Sequence, residues 1–236
     1  TNDNTPTFRW TAVIDPSGVT YTIQVDNDPD FTSPKVDVSG LVENTYTPSE
    51  LADENYSWHV RVVDGANNIG NWTATWTFAI DTVPPDIPAL LSPTDGTITN
   101  DNTPTFDWSD VAGAENYDLL VDNDSDFSSP KIQVTVSVSS YTPTAWLADE
   151  NYSWKVKARD AANNLSDWST IWTFVIDTVP PGTPSLSSPA DGTITTDNTP
   201  TFDWSDVADA VEYSLQVDDD PNFSSPEINV LAANST

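Results

Sequence analysis

Residues 147–159 read LADENYSWKVKAR. From Tyr152 onward, Tyr152, Trp154, Val156 and Ala158 alternate with Ser153, Lys155, Lys157 and Arg159. Large apolar groups at every second residue, with cations between them, describe a strand buried on one face and wet on the other. The acidic pair Asp149-Glu150 before it reads as a turn. The stretch recurs as LADENYSWHVRVV from Leu51, so the strand belongs to a repeated unit.

The repeats extend outward from there. TNDNTPTFRW begins at Thr1, TNDNTPTFDW at Thr99 and TTDNTPTFDW at Thr195. Tyr21, Tyr117 and Tyr213 are spaced by 96 residues. The unit is therefore 96 residues long, and the first copy carries two extra residues between Trp10 and Tyr21. The sequence predicts three repeats: 1–83, lacking a first strand; 84–179, complete; and 180–236, stopping after about four strands. Both ends read as cut from a longer array.

In the complete repeat the pattern predicts strands over 88–92, 105–108, 116–122, 131–138, 140–142, 151–159 and 170–176, with Gly, Pro, Asn and Asp between them. No stretch has sustained helical periodicity. The expected fold is all-β: tandem seven-stranded antiparallel β-sandwiches arranged end to end.

Trp108, Tyr117, Leu147 and Tyr152, matched by Trp10, Tyr21, Leu51 and Tyr56 and in the last repeat by Trp204 and Tyr213, resemble the core signature of fibronectin type III and Ig-like domains. The Leu-x-x-x-x-Tyr spacing is similar to their tyrosine corner. The likeness is nearest to repeat arrays of large bacterial and archaeal surface proteins. It implies a structural or adhesive module at the cell surface or outside the cell, and it leaves the ligand open because this fold serves many functions.

Composition narrows the classes further. The 236 residues hold 37 Asp and Glu against 7 Lys and Arg, a formal charge of -30. Such a chain is repelled by phosphate backbones and by anionic lipid surfaces, so neither nucleic-acid binding nor direct membrane insertion is expected. With no Cys there is no disulfide or thiolate site. A single histidine, His59, stands where the next repeat has Lys155, and no nucleophile motif accompanies it. Catalysis is not expected.

The acidic loops are the candidate metal ligands. Asp26, Asp28 and Asp30 are echoed by Asp122, Asp124 and Asp126; Asp101 stands before the core of the second repeat and is echoed by Asp197 in the third; Asp81 and Asp177 stand where the chain leaves a repeat. In a sandwich, the loops after the first, third and fifth strands share the exit pole, where oxygen ligands of this kind suit structural Ca²⁺. Asp-x-Asp-x-Asp resembles the start of a calcium loop but lacks the turn Gly and closing Glu of an EF-hand. Asn100-Asp101-Asn102-Thr103-Pro104-Thr105-Phe106 resembles the calcium linker of cadherins but lies inside the repeat. The other reading is that Asp and Asn here are ordinary turn formers.

Trp72 and Trp168 are expected to stack on Arg61 and Lys157, with exposed glycan contacts as the alternative. Trp146 has no aromatic counterpart in the first repeat, where Glu50 stands, and is the candidate exposed contact residue. Asn-x-Ser/Thr sequons occur at Asn55, Asn71, Asn123, Asn151, Asn164, Asn222 and Asn234, with Asn123 and Asn164 the accessible loop candidates. The reading is a spacer, stalk or adhesive array whose partners are other repeats of the same protein, joined by glycan, protein or lateral strand contacts. A glycan- or protein-binding module and an accessory domain of a secreted hydrolase are the alternatives.

Overall fold

A computed structural model describes residues 1–233; the sequon at Asn234 lies outside the described residues. The first repeat contributes β1 (Phe8–Arg9), β2 (Val19–Asp26), β3 (Val36–Leu41), β4 (Thr45–Tyr46), β5 (Asn55–Asp64) and β6 (Trp76–Ala79). The second contributes β7 (Leu90–Ser92), β8 (Thr97–Thr99), β9 (Phe106–Trp108), β10 (Ala114–Asp122), β11 (Ile132–Val136), β12 (Ser140–Tyr141), β13 (Asn151–Asp160) and β14 (Trp172–Ile176). The third contributes β15 (Leu186–Ser188), β16 (Asp203–Trp204), β17 (Tyr213–Val217) and β18 (Ile228–Ala232). The chain forms two compact units, Thr1–Asp177 and Thr178–Thr236.

In the second repeat one sheet runs β11-β10-β13-β14-β8 and the other β12-β9-β7. Their inner faces meet over Phe106, Trp108, Tyr117, Leu119, Val121, Tyr152, Trp154, Val156 and Phe174, all buried. The alternation read from the sequence is thus the alternation of the core. The Tyr152 hydroxyl donates to the Ala148 carbonyl at 3.2 Å, and that of Tyr56 donates to Ala52 at 3.1 Å, so both tyrosine corners are closed. Trp108 meets Tyr117 edge to face at 5.6 Å, a pair repeated by Trp10 with Tyr21 and Trp204 with Tyr213.

Several strand ends shift by one or two residues from expectation, as at Leu90, Ala114 and Trp172, and two differences are larger in kind. Residues 97–99 pair with β14 in parallel as an eighth short strand. They carry no apolar alternation, because only backbone pairing recruits them. The strand expected over 131–138 ends at Val136, and Val138 is exposed beyond it.

The first repeat has the sheet β3-β2-β5-β6 and the pair β1-β4. Nothing in 1–83 supplies the equivalent of β7. Its place is a cleft of about 590 Å³ beside Trp10, Trp58 and Trp76. Trp76 is consequently exposed, whereas its counterpart Trp172 packs against its core. In Thr178–Thr236, β15 pairs with β16 and β17 with β18. The residues described there include no equivalents of β13 and β14. Leu215 and Val217 are accordingly half-buried, where Leu119 and Val121 are fully enclosed.

Candidate functional site

In each of the first two repeats, hydrogen bonds tie the acidic loops to one another at the exit pole. Asn123 Nδ2 donates to Glu150 Oε2 at 2.7 Å, tying the β10–β11 loop to the turn before β13, and Asn27 does the same to Glu54 at 2.7 Å. The Leu147 amide donates to the Asn102 carbonyl and the Asp177 amide to that of Thr99, both at 2.9 Å, so the segment holding Asp101 joins the same pole. In the first repeat the exit residue Thr82 donates to the Asp53 carboxylate from its amide at 2.9 Å and from its hydroxyl at 3.0 Å.

Most candidate metal ligands there serve their own turns. Asp28 Oδ1 accepts the Asp30 amide, Asp30 that of Thr32, Asp81 that of Val83, Asp101 that of Thr103 and Asp126 that of Ser128. This is the local side-chain-to-backbone bonding that makes Asp a turn former. The Ser128 bonds hold the Asp126 carboxyl below the ordinary carboxylate range. Asp26 and Asp122 differ. Both are fully enclosed at strand ends, and each has one buried oxygen, Asp26 Oδ2 and Asp122 Oδ1, with no partner. The other oxygen of Asp122 accepts the Ser129 amide at 3.3 Å. Among the described residues no three His, Asp or Glu side chains converge as a ready-made metal cage.

At the opposite pole the second repeat grips the first. Asp160, at the end of β13, accepts the Asn164 amide and side chain at 2.8 Å each. The second hydrogen of the same side-chain nitrogen reaches the Asp81 carbonyl at 2.8 Å, across the junction. Burial pushes the Asp160 carboxyl up, but the Asn164 bonds and the Ala162 and Asn163 amides outweigh it and hold the group below its ordinary value. Asn164 is therefore enclosed and engaged, which corrects its reading as an accessible glycosylation site. In the first repeat, Asp64 and Asn68 make the same local bonds at 2.8 and 2.7 Å in an exposed loop.

The outer face of each large sheet carries a stack that sequence reading found only in part. Arg61 lies over Trp72 at 4.5 Å, and Lys157 over Trp168 at 4.7 Å, as expected. The other side of each stack is Phe31 or Phe127. Lys155 Nζ sits 4.0 Å from the Phe127 ring and 4.9 Å from Trp168. His59 takes the Lys155 place, its ring 3.8 Å from Phe31 and 3.9 Å from Trp72 in near-parallel stacking. Phe31, Phe127 and Phe223 all have positive φ, at 54°, 56° and 49°. That conformation costs a side-chain-bearing residue about 1–2 kcal/mol; in the first two repeats it folds the ring back over the sheet, where stacking offsets the cost. The in-phase recurrence of Phe after the acidic loop was the available signal.

Asp118 completes the second repeat's stack, accepting from Arg159 at 2.9 Å and lying 3.8 Å from Lys157. Thr22 stands in its place in the first, and among the described residues Arg61 forms no ion pair with a carboxylate. Burial first, and then the Arg61 charge, lower the His59 pKa. The only histidine of the chain is thus expected to titrate, by NMR of its ring protons, with a midpoint below the ordinary ~6.5, and Arg61→Gln is expected to raise it. A lowered folded-state value means that its stability contribution is complete above ~6.5 and is lost as pH falls through the folded midpoint. A midpoint at or above ~6.5 would show the stack to be open to water.

The strand order, the two-sheet core and the tyrosine corners define an Ig-like, fibronectin III-type β-sandwich repeated in tandem. The bacterial Ig-like domain model matches residues 1–82 and 92–178, more than half of the chain, and the chain belongs to that family. Similar solved structures include the crystal structure of chicken CNTN1 FN1-FN3 domains, 14% identical with a TM-score of 0.48, which covers 74% of this chain; the chain spans 63% of that one. The fibronectin(III)-like modules of Clostridium thermocellum CbhA are 15% identical with a TM-score of 0.44, covering 70% of this chain and 82% of theirs. An α-L-rhamnosidase from Dictyoglumus thermophilum is 16% identical with a TM-score of 0.31, covering 38% of this chain and 12% of its own. No curated protein matches the sequence.

Proposed function

We propose that the chain is a length of spacer in a large extracellular or cell-surface protein, holding whatever it carries at a fixed distance. The observation that carries this reading is the junction bond from Asn164 to the Asp81 carbonyl. A loop of one repeat holds the segment by which the chain leaves the repeat before it, and the Val83-Pro84-Pro85 stretch that follows has its backbone restricted by the proline rings. A charge of -30 keeps such an array soluble and apart from its neighbours.

Calcium at the exit pole extends the same reading. Asp26 and Asp122 each offer a buried oxygen without a partner, and hard oxygen donors of this kind suit Ca²⁺. Asp124 and the carbonyls of its loop would complete such a site after a small rearrangement. Thermal unfolding of the whole chain in EDTA, then in millimolar Ca²⁺ and Mg²⁺, is expected to show a higher melting temperature in Ca²⁺ than in Mg²⁺. That gain should disappear when Asp122→Ala is combined with Asp124→Ala. Small-angle scattering of the same samples should give an extended particle in each. A compact particle would sink the spacer reading, whereas equal melting in all three solutions would remove only the calcium.

A further inference from the structure

Trp146 is 82% exposed and makes no ring contact or hydrogen bond among the described residues. It is not an uncovered core residue. Exposed Trp76, by contrast, has an in-phase partner, Trp172, packed against its core. Trp146 exists because the second repeat has one more residue in this loop. Tyr46 and Tyr141 pair with Phe8 and Phe106 in the same register, yet four residues separate Tyr46 from Leu51 and five separate Tyr141 from Leu147. The added length places an indole at the mouth of a cleft of about 570 Å³, within the range of small-ligand sites.

The cleft opens between the outer strands of the two sheets, β11 and β12. Tyr141, Pro143 and Ile132 give it apolar walls, and Lys131 and Glu150 stand at its rim. Glu150 is held in place by Asn123 at 2.7 Å, so one carboxylate oxygen is fixed in position before anything binds. An isolated flat aromatic beside fixed polar groups, in a shallow cleft open to water, matches a ring with an apolar C–H face and a rim of hydroxyls. A lipid would need a deeper apolar channel. A polyanion is repelled by the net charge of -30.

We propose that this cleft is a saccharide subsite for a neutral or amino-substituted pyranose chain. One sugar ring lies on Trp146, and its hydroxyls meet the Glu150 carboxylate and the Lys131 ammonium. The site adds a ligand to the spacer reading and does not depend on it.

Native electrophoresis of the whole chain through gels containing soluble β-glucan, xylan, glucomannan or glycol chitin tests this, with titration calorimetry on matching hexasaccharides. At least one polymer is expected to retard the chain. Trp146→Ala should weaken that binding tenfold or more without changing the melting temperature, and Trp146→Phe should keep part of it. Trp76→Ala should bind as the parent does. No retardation by any of the four polymers, or retardation unchanged in Trp146→Ala, overturns the assignment. So does failure of all four sugars while an extended basic peptide binds along β11, which would make the cleft a strand-addition site.

Discussion

Replacing Trp154 by Ala is expected to cost the second repeat about 3–5 kcal/mol. Trp154 is fully enclosed, with its ring centre 5.2 Å from that of Phe106 and 6.2 Å from that of Trp172. It stands midway along β13, which pairs with both β10 and β14, so no neighbouring strand can move to refill the space without giving up a ladder. Small domains are stable by only about 5–15 kcal/mol, so the loss is a large share of the total. At roughly 4–8 °C per kcal/mol for a domain of this size, its melting step should fall by more than 10 °C. Trp58 fills the same position in the first repeat but is only half-buried, beside the open cleft. Trp58→Ala should therefore cost less, and exposed Trp76→Ala less than either. Urea titrations of the three variants, followed by circular dichroism, would check the order. Equal losses for Trp154 and Trp58 would mean that the open cleft does not weaken the first core.

That difference between homologous tryptophans shows what can be read before a structure is known. Period-two alternation around Tyr152 and Tyr117 placed the long strands and the core, because burial of alternate side chains is what holds them there. Features carried by the backbone left no such trace. Residues 97–99 join β14 through main-chain bonds alone. The equal 96-residue spacing concealed two compensating length changes. The first repeat spends one residue on a bulge at Gly40, where φ is 77° and the register of β2 with β3 shifts. The second spends it beside Trp146. Equal spacing of landmarks thus hid the extra residue in that loop, although Trp146 itself stood out against Glu50. The candidate ligands show the same limit: Asp122 and Asp126 occupy neighbouring places in one acidic motif, yet one is enclosed with an unpartnered oxygen and the other closes an exposed turn. Composition cannot separate those roles; position relative to the strand end does.

The junction gives the second large effect. Asp160→Ala removes the acceptor of both Asn164 bonds and is expected to cost about 2–3 kcal/mol, because hydrogen bonds to a charged, enclosed acceptor are among the stronger ones and their donors are left behind. It also frees the Asn164 side chain, whose remaining bond is to the Asp81 carbonyl. Asn164→Ala separates the two consequences, and Asn68→Ala is its control. Asn68 makes the same bonds to Asp64, in a loop that joins no other repeat in this chain. If the clamp sets the junction, Asn164→Ala should let the first two repeats reorient independently, seen as divergent rotational correlation times in NMR relaxation, while Asn68→Ala leaves them moving as one. Acid should act as a weaker version of Asp160→Ala. The folded Asp160 carboxyl is held below its ordinary value, so its contribution is complete above the unfolded value near ~3.9 and is lost as pH falls through the folded one. Identical relaxation in the two Asn variants would mean that the Asn164 bond does not set the junction, and would leave that role to the proline-restricted segment.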